Sequence, residues 1–327
     1  MAGLVLAGDV GGTKTNLGLF EIDDGKFNRV RHEQYITRDF AKLEDACLKF
    51  TQGTAIRAVC MGVPGPIVDG RARATNVAWI MAEDTLSKAM GGVPARLIND
   101  LGVTAYGMLY LKPEEIGVLH RAERPARGNV AVIAAGTGLG EGALVYERDH
   151  YYAVASEGGH SDFAPLNDEQ VDLYRFLKAE FFDHVSFERV LSGPGLHNIY
   201  RFLRKRHGDP EPQWLTKEIE GGDPAAAISE AALKNRDEIC VNALTTFAEI
   251  YGAEASNLAL KVLALGGVYV AGGIAPKILP FLTKGAFIRG FFSKGRLNAM
   301  LRQIDVRVSL NPGAALSGAA HCAAALL

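Results

Sequence analysis

Twice in this chain a short apolar strand runs into a turn of glycine and threonine and leaves it as a second strand. The first occurrence is Leu4-Val5-Leu6-Ala7, then Gly8-Asp9-Val10-Gly11-Gly12-Thr13-Lys14-Thr15, then Asn16-Leu17-Gly18-Leu19-Phe20-Glu21-Ile22. The second is Val130-Ala131-Val132-Ile133-Ala134-Ala135, then Gly136-Thr137-Gly138-Leu139-Gly140, with residues 141–147 returning. A strand, a tight tip and a strand make a β-hairpin. Main-chain N–H groups gathered at such a tip form a concave site for an anion such as phosphate. In the first tip Gly11 and Gly12 are expected to reach φ > 0. Thr13 and Thr15 add hydroxyl donors, and Lys14 adds charge. Asp9 is the odd member, because a carboxylate repels phosphate unless a cation intervenes; Mg²⁺ held through carboxylate, water and phosphate resolves the conflict. The pattern is neither a G-x-x-x-x-G-K-[ST] loop nor a dinucleotide fingerprint, since a strand follows it where a helix belongs. The plainer alternatives are a glycine-rich hairpin with a capping Asp and, for the pair, two unrelated glycine turns.

The rest of the chain is read from period and punctuation. Asp23-Asp24-Gly25 signals a turn, and residues 27–37 a third strand. Phe40, Leu43, Ala46, Cys47 and Phe50 fall at helical spacing. Residues 55–63 form an apolar strand ending at Gly62-Val63-Pro64-Gly65-Pro66, and residues 83–90 a helix. Residues 95–98 are a short strand that delivers Asn99-Asp100 to a helix over 101–111. Three strands followed by alternating helix and strand indicate a mixed sheet in an α/β domain. Helices dominate from Asp168 onward, at 171–182, 187–191, up to about Arg206, and as two between Pro224 and Ala264. Gly193-Pro194-Gly195 reads as a break before the third of these, and residues 205–210 as an exposed loop. A strand at 268–271 ends in Gly272-Gly273, with a helix expected from Pro276; a strand at 306–308 and an alanine-rich helix over 313–327 close the chain.

With 327 residues, 48% hydrophobic and 22% charged, the chain has the profile of a globular protein of two domains. Its net charge of −2 gives no support for nucleic-acid or membrane partners. The longest weakly polar run, residues 262–275, is too short to span a bilayer. Neither a signal peptide nor a fused DNA-reading segment is expected ahead of Leu4. Cys47, Cys60, Cys240 and Cys322 lack zinc-ligand or C-x-x-C spacing, which reads as free thiols in a reducing cytoplasm.

Chemistry concentrates in five places. Two are the hairpin tips. Gly272-Gly273, between a strand and a helix, would let backbone approach a nucleotide. Asn99-Asp100 puts an amide and a carboxylate at a strand end. Asp100 is a candidate general base for an attacking hydroxyl, or equally the N-cap of the helix it precedes. In Ser156-Glu157-Gly158-Gly159-His160-Ser161-Asp162, Glu157 and His160 are expected to face a pocket that suits sugar hydroxyls. His160 has no partner at metal-ligand spacing, so a hydrogen-bonding role is favoured over metal ligation or a structural one.

These residues identify a family resemblance. The chain is similar to bacterial ATP-dependent glucokinases of the hexokinase and actin-like ATPase superfamily. The resemblance runs from Leu4 to the terminal helix. It is carried by Gly8-Asp9-Val10-Gly11-Gly12-Thr13, Leu97-Ile98-Asn99-Asp100-Leu101, Ala135-Gly136-Thr137-Gly138-Leu139-Gly140, Ser156-Glu157-Gly158-Gly159-His160, Glu188-Arg189-Val190-Leu191-Ser192-Gly193 and Ala271-Gly272-Gly273-Ile274. It implies a two-domain α/β, ribonuclease H-like fold with mixed sheets and an active site in the interdomain cleft. The small domain would hold residues 1–110 with about 312–327, and the large one residues 111–311. The implied reaction moves the γ-phosphoryl group of ATP to the 6-hydroxyl of D-glucose, with Asp100 as base. The resemblance places Asn99, Asp100, Glu157, His160 and Glu188 around the sugar. Glu188 comes from the resemblance alone, since by itself it looks like an ordinary helix-start residue. Gly8, Asp9, Val10, Gly11, Gly12, Thr13, Gly136, Thr137, Gly138, Gly272 and Gly273 would serve ATP, with Asp9 reaching Mg²⁺ through water. Related kinases grouped with sugar-responsive repressors carry a zinc-binding cysteine cluster; this chain has no cysteine between Cys60 and Cys240 and resembles the zinc-free branch. Glucose and ATP as partners, no nucleic acid, no membrane, a homodimer and a cytoplasmic location complete the expectation. Trp79, after Thr75-Asn76-Val77, is expected in the cleft-side domain and responsive to glucose. A sugar-sensing regulator without turnover and a kinase of another hexose are the competing readings.

Overall fold

The structure is a computed structural model that describes residues 3–23, 26–73, 77–208 and 210–327. Parts of three sequence readings fall outside those residues: Asp24 and Gly25 of the first turn, Thr75 and Asn76 before Trp79, and Asp209 of the loop at 205–210. The chain divides into two compact units. One comprises Met1–Lys112, Tyr151–Ala155 and Asn311–Leu327, the other Pro113–His150 and Ser156–Leu310.

The first unit is built on strands β1 (Gly3–Val10), β2 (Lys14–Asp23), β3 (Lys26–Ile36) and β4 (Ala58–Val63), the short β5 (Ile67–Val68), β6 (Arg71–Arg73) and β7 (Ile80–Ala82), and β8 (Ala95–Asn99). The main sheet runs β3-β2-β1-β4-β8. The β1–β2–β3 meander is antiparallel, while β4 and β8 are added in parallel. A parallel strand covered on both faces reads as a continuous apolar run, and β1 and β4 behave so. Leu6, Val10 and Met61 pack on one face with Phe50, Trp79 and Met81. Val5, Ala7 and Cys60 pack on the other with Val103 and the C-terminal helix Ala314–Ala324. Trp79 is therefore a core residue, 3% exposed, its Nε1 donating to the Phe40 carbonyl at 3.0 Å. The antiparallel β5-β6-β7 sheet was not legible, because its strands are two or three residues long.

The second unit holds β9 (Ile116–His120), β10 (Val130–Ala135) and β11 (Leu139–Glu147). After β11, β12 (His150–Val154) carries the chain into residues 151–155 of the first unit, and β13 (Gly267–Ala271) and β14 (Val306–Ser309) follow in the second. Four of these strands repeat the plan of the first unit. β11 pairs antiparallel with β10, β10 parallel with β13, and β13 parallel with β14; β9 closes the edge antiparallel. The main core joins this sheet to the 25-residue helix Glu238–Val262, with Phe247, Tyr251, Phe287 and Phe291 fully buried. Asp237 caps that helix by accepting from Cys240 N at 2.8 Å, and Arg204 reaches Asp237 at 2.9 Å.

Several boundaries moved for identifiable reasons. Gly193-Pro194-Gly195 does not break the chain. It forms the first turn of the helix Gly193–His207, where a proline's missing N–H costs nothing, under a Ser192 cap. The expected helix from Pro276 is a run of turns before the four-residue helix Leu279–Leu282. The helix Gln213–Glu220 was not foreseen.

Candidate active site

In the first unit the site residues collect at one edge of the sheet. Asp9 lies beside Gly62 across the β1–β4 ladder, and Val63 beside Asn99 across the β4–β8 ladder. Three adjacent parallel strands thus end together, and open α/β sheets bind ligands outside the carboxyl ends of such strands. Gly8 and Val10 are buried within β1, while Gly12, Thr13 and Lys14 are exposed at the tip. The tip is closed by Gly11 N donating to Lys14 O at 2.9 Å. Neither Gly11 nor Gly12 takes a positive φ, contrary to expectation. The turn is braced instead by Thr37, just past β3: its N–H donates to Thr13 O at 3.0 Å and its hydroxyl to Gly11 O at 2.8 Å. Thr15 is spent on the same brace, buried with its hydroxyl 3.0 Å from that of Thr37, so it is not a free donor for a ligand.

Burial raises the pKa of Asp9 above the ordinary carboxylate range, and a hydrogen bond from Asn16 opposes the rise. Asn16 Nδ2 stands 3.5 Å from Asp9 Oδ2 and is itself held by Gln34 at 2.9 Å. A carboxylate so placed gains from a nearby cation, which fits the chemistry of Mg²⁺. At the end of β8 the N-cap of the helix Asp100–Met108 is Asn99, whose Oδ1 accepts from Leu101 N at 3.0 Å. Asn99 Nδ2 also donates to Gly65 O at 3.3 Å. Asp100 is the first helical residue, half-buried, and its Oδ1 accepts from the same Leu101 N–H at 2.8 Å. The capping alternative for Asp100 thus gives way to Asn99.

The second unit carries the other tip. Gly136 N donates to Gly138 O at 2.8 Å, and Gly193 N donates to Gly136 O at 2.8 Å, tying the tip to the helix that begins there. Beneath the ends of β10 and β13 the buried Tyr251 hydroxyl accepts from Ala135 N at 3.1 Å and lies 3.3 Å from the Ile133 and Ala271 carbonyls. Gly272 takes φ +82°, and a Cβ there would stand 2.3 Å from Ala135 O, so the position admits only glycine. Gly136, Thr137 and Gly273 line a cavity of about 880 Å³. Its other walls include Pro194, Asp223 and Lys277. That volume falls within the ~300–1,000 Å³ of small-molecule and cofactor sites. The far walls come from helices distant in sequence, and sequence reasoning missed them.

Glu188 proves to be part of this tip. Its Oε2 accepts from Leu139 N at 3.0 Å, and a Cβ on Gly138 would meet that oxygen at 2.5 Å. Ser192 Oγ donates to the Glu188 carbonyl at 2.7 Å while capping the helix Gly193–His207. Glu157 precedes the 3₁₀ turn Gly158–His160 and His160 ends it, with His160 N donating to Glu157 O at 3.0 Å. Both side chains are exposed rather than turned into a closed pocket of this unit. Among the described residues no group of three or more His, Cys, Asp or Glu is placed to hold a metal. No helix among them is long and apolar enough to cross a membrane.

Comparison with known proteins bears on this arrangement. A family model described as glucokinase matches residues 6–326. A glucokinase of Nostoc punctiforme is 41% identical over 339 residues, covering 99% of each chain. A glucokinase of Synechocystis sp. is 39% identical, covering 98% of this chain and 97% of its own. Among solved structures, a glucokinase from an Antarctic psychrotroph superposes with a TM-score of 0.86 at 29% identity, over 98% of this chain and 99% of that one. The mixed sheets of both units are those of the actin-like ATPase fold, and by sequence and structure the chain belongs to the glucokinase family.

Proposed function

We propose that this protein is an ATP-dependent glucokinase that moves the γ-phosphoryl group of ATP to the 6-hydroxyl of D-glucose, giving glucose 6-phosphate and ADP. The observation that carries the reading is the ending of β1, β4 and β8 together, with Asp9, Asn99 and Asp100 at that edge. Asp100 is the general base: its carboxylate accepts the 6-hydroxyl proton as the oxygen attacks. Asn99, Glu157, His160 and Glu188 hydrogen-bond the remaining hydroxyls, and a carboxylate can accept two of them at once. The N–H groups around Gly11, Gly12 and Thr13, with those at Gly136, Thr137 and Gly138, bind ATP phosphates. Gly272 and Gly273 leave room for the nucleotide, whose nucleoside takes the cavity lined by Gly273 and Lys277.

Asp9 would hold Mg²⁺ through water, and the bound ion neutralises charge on the phosphoryl oxygens. No zinc is required. Four free cysteines, three of them buried, support a reducing cytoplasmic setting. A homodimer is proposed by analogy, and neither nucleic acid nor membrane is a partner.

The test is ADP formation across glucose, mannose, fructose and N-acetylglucosamine, in wild type and Asp100→Asn. Glucose is expected to lead. The substitution keeps the side chain's size and removes its basicity, so kcat is expected to fall ~10²–10⁴-fold, about 3–5 kcal/mol of barrier, with glucose still bound. A kcat close to wild type in Asp100→Asn would exclude it as base, and glucose binding without ADP formation in wild type would favour a sensor.

A further inference from the structure

Glu141 and Glu254 are two buried acids of the second unit, and Glu141 lies just beneath the turn that carries Glu157 and His160. Glu141 follows Gly140 on β11 and is 1% exposed; Glu254, on the helix Glu238–Val262, is fully buried. The ionised form of Glu254 is provided for: Asn257 Nδ2 donates to its Oε2 at 2.7 Å, and Lys261 Nζ lies 3.4 Å from its Oε1. Glu141 is provided for differently. Its Oε1 is buried and accepts no hydrogen bond among the described residues. A carboxylate oxygen with no donor is costly to bury, whereas a protonated one can donate. Burial and the neighbouring charge of Glu254 both favour the protonated form of Glu141.

The turn is seated directly on Glu141. A Cβ on Gly158 would stand 2.2 Å from Glu141 Oε2, and one on Gly159 would stand 2.0 Å from Leu139 O. No slack is left between the turn and the strand for an acid that must draw in water or swing away from a like charge. We propose that Glu141, kept neutral beside Glu254, is a positioning residue for glucose binding, because only the protonated pair lets the 157–160 turn seat against β11. The inference rests on the assignment of Glu157 and His160 to the sugar.

Burial, and then the charge of Glu254, push the Glu141 carboxyl up to about 8, with Lys261 opposing. Glu254 itself is raised by burial. The other groups facing the pair are the Tyr251 phenol on the same helix and Lys294, whose pKa burial lowers. From the turn itself come only Glu157 and His160, both exposed. The seated form therefore predominates at neutral pH and is lost as pH rises through about 8.

The test is glucose Kd by calorimetry, without nucleotide, from pH 7 to 9.5, with melting temperature recorded alongside. One pH unit above the midpoint only about a tenth of the molecules remain competent, so wild-type Kd is expected to rise about tenfold. Glu141→Gln keeps the shape and the donor and cannot ionise; its Kd is expected to stay level over the range. Glu254→Gln removes the like charge, so Glu141 ionises earlier and weakening begins at lower pH. That variant decides the matter should Glu141→Gln fail to fold. A level wild-type profile, or the same rise in wild type and Glu141→Gln, overturns the proposal. So does a Glu254→Gln profile that matches wild type. Glu157→Gln is expected to weaken glucose at every pH. Unaltered affinity there overturns the sugar assignment itself, and with it this inference, whereas weakening there with no Glu141 effect overturns only the positioning role.

Discussion

At the scale of single residues, the chemistry is set by what surrounds each carboxyl. Asp9 and Asp100 both sit at carboxyl ends of strands, yet their surroundings differ. Asp9 is pushed up by burial and touched by one amide, while Asp100 receives a helix N–H at 2.8 Å. Asp9 therefore gains from a cation, and Asp100 is held in place at a helix start. Activity is expected to vanish with EDTA and return with added Mg²⁺. Asp9→Ala is expected to lose catalysis while glucose Kd stays within about threefold. Calorimetry of glucose binding checks this; a large loss of glucose affinity would assign Asp9 to the sugar instead. Glu188 shows the limit of reading one residue at a time. Its position in a short 3₁₀ turn is unremarkable, and its role emerges only from the Leu139 N–H that it accepts.

At the scale of elements, two features admit direct tests. Gly272 ends β13 in a left-handed conformation with Ala135 O in the space of a side chain. Gly272→Ala adds strain of order 1–3 kcal/mol together with a clash against backbone. Melting temperature is expected to fall, and KM for ATP to rise more than KM for glucose. Equal rises in both would show general damage rather than a local change at the nucleotide side. The C-terminal helix Ala314–Ala324 carries His321, stacked on Tyr110 at 3.3 Å between ring centroids and near Phe27 at 3.7 Å. Burial lowers its pKa to about 4. The unfolded chain then binds the proton that the folded one refuses, so stability is full above the ordinary histidine range and falls as pH drops from about 6.5 toward 4. His321→Phe keeps a ring in the stack and removes the titration. Chemical denaturation at pH 7 and pH 5 is expected to show a smaller acid loss in the variant. An equal loss in both would clear His321.

At the scale of the whole molecule, two units with separate cores repeat one plan: a glycine-tipped hairpin extended by two parallel strands. A ligand bound only by the folded protein raises its stability by mass action, about 2.7 kcal/mol at a hundredfold excess over Kd. Glucose is therefore expected to raise the melting temperature, and a non-substrate hexose to leave it unmoved. Metal analysis of the same preparation is expected to find well under one zinc per chain. Stoichiometric zinc, with activity lost on its removal, would contradict the zinc-free assignment.

Much of the fold was legible in the sequence because it rests on local signals. Apolar runs such as residues 4–7 and 130–135, and the glycine tips that follow them, announce both hairpins before any contact is known. Asn99 and Asp100 at a strand end, and Gly272 after β13, belong to the same class, since a turn's chemistry is written in its own few residues. Other features depended on which distant groups the fold brings together. Thr15 became a brace because Thr37 lies across the sheet. Glu188 came under a hairpin tip nearly fifty positions away in sequence. Trp79 went into the core. Glu141 on β11 met Glu254 on a helix more than a hundred residues later. Alternation and spacing report which face of an element is apolar. They carry no record of which polar atom will be left without water, or which partner will then satisfy it. That depends on desolvation and on hydrogen bonds between elements remote in sequence, and only the tertiary structure decides it.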